Sequence, residues 1–169
     1  EEMVERLAAK FFPGAEGFER EMKKRSIDDF NMVSSVLANT LTFMEHPHVV
    51  RKAVPFILPE AMSWDPHYYA TLYVARDFKD KRDWVPTQKI LFYKFLRDLR
   101  GHRIVALCED PDVQTRGFVD DNTAFVVLNN LSNYAKRIEL AMPAARHYLV
   151  RRLGRSSDFT PYLREESSA

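Results

Sequence analysis

Apolar residues recur at two periods along this chain, and the change falls near residue 100. Before it they return every three or four positions, as on one face of a helix. After it they alternate, as on one face of a strand. Ile27, Phe30, Val33, Leu37, Leu41 and Met44 make the longest stripe and predict a helix over 27–44. Ser26 is placed to cap it, and Asp29 three residues on completes a capping-box-like start. His46-Pro47 ends it, because a residue before proline is pushed out of the α region. Val54-Pro55-Phe56-Ile57-Leu58-Pro59 then reads as a short, fully buried strand, an apolar run between prolines. A long helix feeding such a strand is the sequence form of a parallel α/β sheet.

Residues 60–85 carry no clear period, and Trp64, His67, Tyr68, Tyr69, Tyr73 and Trp84 are scattered there among charges. A second helix follows, with Pro86 near its first position and Leu91, Phe95 and Leu99 as its stripe. Phe92 and Leu96 widen that stripe, and Gly101 is placed just past the end. From His102 the alternation predicts strands over 102–107, 113–119, 123–128, 135–140 and 146–153, with Asp120-Asp121-Asn122 as a turn. Short strands with polar turns at this spacing indicate an antiparallel sandwich.

Charge and length narrow the picture. The chain has 169 residues, with 25 Lys and Arg against 24 Asp and Glu. That balance argues against a nucleic-acid partner, which calls for a basic stripe. No apolar run approaches the ~20 residues needed to cross a bilayer. The single cysteine, Cys108, excludes an internal disulfide and a multi-cysteine zinc site. The opening Glu1-Glu2-Met3-Val4 falls mid-pattern with no signal-peptide core, so the chain reads as truncated.

Three stretches resemble the β-agarases and β-porphyranases, glycoside hydrolases that cut red-algal galactans. The first runs from Asp29-Phe30-Asn31-Met32 through Phe43-Met44 to Lys52-Ala53-Val54-Pro55-Phe56-Ile57. The second is Trp84 through Phe92-Tyr93 to Leu99-Arg100-Gly101-His102-Arg103. The third holds Asp110-Pro111-Asp112-Val113-Gln114, Phe118-Val119-Asp120 and Val126-Val127-Leu128-Asn129-Asn130-Leu131. The resemblance implies the C-terminal portion of a (β/α)8 TIM barrel over 1–85, a linking helix over 86–101, and the start of an antiparallel β-sandwich over 102–169. It further implies a secreted or cell-surface enzyme that retains anomeric configuration and needs no cofactor. Its partners would be a galactan substrate and the missing N-terminal part of the barrel. The family's two catalytic glutamates would lie on earlier strands, outside this chain, leaving it inactive alone. The alternative is a complete, non-catalytic sandwich module that binds glycan. A lone buried strand at 54–58 with nothing to pair with counts against it.

Retaining hydrolysis needs two carboxyls about 5 Å apart. Glu60 and Asp65 are the local candidates, just after the expected last barrel strand, where barrel active sites form. Contact with sugar hydroxyls suits them better than catalysis, and a solvated loop charge is the plainer reading of each. Trp64 fits a subsite platform, because an indole covers the apolar C–H face of a sugar; it equally fits packing between domains. Trp84 fits such packing better. His67 and Tyr68 extend the candidate groove, whereas Tyr69 and Tyr73 are spaced for packing, and Arg76 could meet a sulfate. His46 and His48 lack the carboxylates or cysteines of a metal site. Asn130-Leu131-Ser132 fits a glycosylation sequon, and Arg151-Arg152 to Arg155 reads as a solvated strand edge.

Overall fold

The computed structural model describes residues 2–59, 71–77, 80, 82–142 and 145–168. Two helices open the chain: α1 (Glu2–Phe11) and the 27-residue α2 (Gly17–Phe43). α2 begins ten residues before the helix expected from the apolar stripe. Its N-cap is Glu16, so Ser26 lies in mid-helix with a buried, unbonded hydroxyl rather than capping an end. The extra turns survive because α1 supplies counter-charges. Lys24 Nζ lies 2.6 Å from Glu5 and 3.0 Å from Glu21, and Arg20 lies 3.2 Å from Glu5. Val4 and Ala8 of α1 bury against Ile27 beneath these pairs.

Three strands follow, β1 (Ile57–Pro59), β2 (Thr71–Ala75) and β3 (Trp84–Pro86), in the order β1-β2-β3. β1 runs parallel to β2, with Ile57 opposite Thr71, and β2 runs antiparallel to β3, with Ala75 opposite Trp84. Two expectations change here. The region thought irregular holds two strands, and the supposedly unpaired strand has β2 as its partner. Nor is that strand fully buried: Phe56 is, but Val54 is 73% and Leu58 63% exposed. Pro86, expected at a helix start, closes β3; the helix α3 (Ile90–Leu96) begins later and ends sooner than its apolar stripe suggests.

The last five strands are β4 (His102–Ile104), β5 (Val113–Asp120), β6 (Thr123–Asn130), β7 (Leu149–Arg155) and β8 (Pro161–Ser167). β4-β5-β6 form one antiparallel sheet and β7-β8 another. Asp120 pairs with Thr123 across the expected turn, and Asp121 takes φ 48°, the left-handed backbone that a two-residue hairpin turn requires. Residues 135–140 alternate in sequence yet form no strand. Gly101 is not a helix cap. At φ 95° it lies so close to β5 that a Cβ would fall 2.2 Å from the Val119 carbonyl oxygen, so only glycine lets the chain enter β4 there.

The main core forms where these parts meet. Val33, Leu37 and Leu41 of α2 pack with Phe56, Leu72, Phe92 and Val127, joining two of the three sheets and α3 to one helix face. Full burial of such side chains stabilises by roughly 1.5–3 kcal/mol each. Two arginines fasten the helix ends to the strands. From β5, Arg116 Nε donates to the Leu41 carbonyl at 2.6 Å while its other end meets Glu45 at 2.9 Å. From β7, Arg151 donates to the Phe95 carbonyl at 3.1 Å and pairs with Asp98 and Glu165. Each places a cation on the unsatisfied carbonyls of a helix C-terminus.

Candidate functional site

Glu60, Trp64, Asp65, His67 and Tyr68 lie outside the described residues, as does Tyr69. The flanking strands show what holds their two ends. β1 leads in and β2 leads out, and the two are hydrogen-bonded neighbours. Behind the start of β2 is a buried polar clamp. Thr87 Oγ1 donates to the Thr71 carbonyl at 2.8 Å, and the Thr87 amide donates to Leu72 at 2.8 Å. Asp29 reaches from α2 to accept from the Gln88 amide at 2.7 Å and forms an ion pair with Lys89. Both charged groups are essentially solvent-free. Burial pushes the Asp29 carboxyl above its ordinary range, against the pull of the Lys89 ammonium and the Gln88 amide. Asp29, read from sequence as part of a helix cap, is therefore the pin between α2 and the 87–89 turn that clamps the start of β2.

On the open side of β1 lies a groove of about 780 Å³, lined by residues 54–58, Leu72 and Tyr93. None of these carries a carboxylate, so the groove offers apolar and aromatic contact rather than acid–base chemistry. Phe56, Phe92 and Tyr93 pack edge to face beneath it, with centroids 5.2–6.3 Å apart.

The other candidates resolve into structural roles. Tyr73 packs against the main core, and Trp84 is half-buried in β3. Arg76 Nε lies 2.7 Å from Asp83 and its guanidinium sits over Phe18, so its charge is already matched. The rings of His46 and His48 meet at 6.1 Å on the surface, and no described cluster of His, Cys, Asp and Glu could hold a metal ion. Asn130 is engaged in a turn, donating to the Tyr134 carbonyl and accepting from Ser132. No described helix is long and apolar enough to cross a membrane.

Residues 112–169, which hold β5 to β8, match the family described as porphyranase β-sandwich domain 1, and this part of the chain is a β-sandwich domain of that type. The curated proteins the chain is similar to include β-agarases, a β-porphyranase and a funoran hydrolase. The chain is 29% identical over 123 residues to a funoran endo-β-hydrolase of Wenyingzhuangia aestuarii, covering 68% of this chain and 17% of that protein. It is 27% identical over 127 residues to β-agarase AgaO of Microbulbifer thermotolerans, covering 66% of this chain and 11% of the relative. With β-porphyranase A of Phocaeicola plebeius it shares 22% identity over 146 residues, 81% of this chain and 20% of that one. The chain thus spans about a tenth to a fifth of the length of the curated relatives it matches.

Proposed function

We propose that this chain works as part of a secreted, retaining glycoside hydrolase that cuts β-galactosidic bonds within red-algal galactans. In this reading residues 1–85 end a (β/α)8 barrel, 86–101 link it, and 102–169 begin the sandwich behind it. The catalytic glutamates lie outside the chain. The porphyranase β-sandwich match over 112–169 carries the reading. The parallel pairing of β1 with β2 supports the barrel part, because parallel strands belong to sheets covered on both faces. The exposed Val54, Ile57 and Leu58 support it too, since a neighbouring barrel strand would bury them.

Within that site Glu60, Trp64, Asp65, His67 and Tyr68 bind substrate, with Trp64 as the platform under a sugar ring. The test is to incubate the whole protein with agarose, porphyran and funoran and to follow new reducing ends and their anomeric form. Cleavage of at least one with retained configuration is expected; no cleavage of any would overturn the reading. Trp64→Ala in the whole enzyme should lower kcat/KM by about tenfold or more, equivalent to about 1.4 kcal/mol of lost binding. Unchanged kinetics would remove Trp64 from the site.

A further inference from the structure

The β7-β8 hairpin has two faces of different kinds. Arg151, Leu153 and Arg155 point inward: Arg151 onto the end of α3, Leu153 against the main core, and Arg155 over the rings of Phe30 and Phe159. The alternation of a strand sends their neighbours Arg152 and Gly154 to the other face, opposite Arg164 and Tyr162 of β8. Arg152 and Arg164 are direct cross-strand partners, and both are exposed. Like charges placed opposite one another, with Cβ atoms roughly 4.5–5.5 Å apart, weaken a hairpin. Neither is neutralised: among the described residues no carboxylate forms an ion pair with Arg152 or Arg164. Glu166 shares the face, opposite Val150, and pairs with neither.

The face is also shaped. A Cβ on Gly154 would fall 2.8 Å from the Tyr162 hydroxyl and 2.9 Å from its ring carbon, so glycine is what lets the phenol ring lie across β7. The Arg164 guanidinium then rests on that ring, 4.5 Å from its centroid. That contact steadies the planar group beside Tyr162, and a guanidinium binds a tetrahedral oxyanion by a two-point fork.

We infer that the outer face of β7-β8 is a binding site for sulfate esters of an anionic polysaccharide, with Arg152 and Arg164 as the clamp and Tyr162 as the support. It lies on β7-β8, a strand pair separate from the β1-β2-β3 sheet, and would hold the polymer rather than cut it. Sulfated galactan as the ligand rests on the proposed function; the anion clamp itself does not.

Affinity electrophoresis of the chain in gels containing sulfated galactan, neutral agarose or dextran sulfate tests this. Retardation by sulfated galactan but not by agarose is expected. R152Q/R164Q should weaken it by about tenfold or more, on the scale of losing charged hydrogen bonds. R6Q/R137Q, which removes the same charge from exposed arginines elsewhere, should leave it intact. Equal retardation by agarose, or equal loss in both double variants, would overturn the site. Arg152- and Arg164-dependent binding to dextran sulfate without binding to any galactan would keep the clamp and sink the galactan reading. Cleavage of galactan by a whole enzyme whose hairpin variants bind normally would do the reverse.

Discussion

The seam between α2, α3 and the strands differs sharply from the open edge of β1. At the seam the charged groups are answered: Arg116 and Arg151 complete helix ends, Asp29 and Lys89 pair out of water, and Leu41 and Phe92 close the core. At the β1 edge Val54, Ile57 and Leu58 stand in solvent beside an apolar groove. Similar apolar residue types occupy both places, so composition does not distinguish them. The difference is whether another element of this chain covers them. An apolar strand of this kind is stable in water only at a cost that a covering partner removes, and the proposed function supplies that partner as a further barrel strand.

The seam should break hardest at its buried ion pair. Lys89→Met takes from Asp29 its ion-pair partner and leaves only the Gln88 amide and the field of Arg25 to hold the carboxylate, and losing one partner of a buried pair costs about 3–5 kcal/mol. The urea midpoint of the chain should fall accordingly, and D29N/K89M should recover part of the loss. The deficit should also shrink at acid pH. Burial already raises the Asp29 pKa, and removing Lys89 raises it further, so the folded form holds its proton more tightly than the unfolded one; that contribution is fully present below the unfolded pKa and is lost as pH rises through the folded one. A K89M deficit independent of pH would mean that Arg25 suffices to hold Asp29 ionised without Lys89.

Arg116 tests the same seam from the strand side. R116M removes the donor to the Leu41 carbonyl and the partner of Glu45, and charged hydrogen bonds of this kind are worth about 1.5–3 kcal/mol. Faster hydrogen exchange in the last turn of α2 is the specific readout. R116K should recover little of it, because an ammonium cannot bridge both acceptors as the fork does. Full rescue by lysine would show that charge alone, not geometry, closes the helix end.

Sequence pattern revealed these regions unequally, for physical reasons. The second half of α2 was legible because Val33, Leu37 and Leu41 bury one clean stripe. Its first half was not, because residues 17–26 are mostly charged and are held by ion pairs from Arg20 and Lys24 to Glu5 of α1 that no periodicity announces. The β5-β6 hairpin was legible through Asp121-Asn122. β2 was hidden by its charged and aromatic surroundings, although Thr71-Leu72-Tyr73-Val74 carries a strand-forming composition that could have revealed it. Residues 135–140 have the alternation but no neighbouring strand, and alternation alone forms no ladder. The Asp29–Lys89 pin and the Arg152–Arg164 face depend on distant register, which one strand's sequence cannot display. The candidate site at 60–68 rests on the resemblance, with its flanking strands and clamp now defined.

The smallest expected effect sharpens the comparison most. Leu58→Ser replaces an apolar side chain that is 63% exposed on the β1 edge, so in this chain it should change stability by no more than about 0.5 kcal/mol, as surface substitutions do. In the whole enzyme the same change should lower the melting temperature clearly, because the proposed neighbouring strand buries Leu58 there. Full burial of a leucine is worth about 1.5–3 kcal/mol. Two thermal melts, of the chain and of the whole protein, decide it. A large loss in the chain alone would mean that Leu58 is covered from within. Equal, negligible losses in both would mean that the β1 edge faces water in the whole protein, which removes the reason for placing a barrel strand beside it.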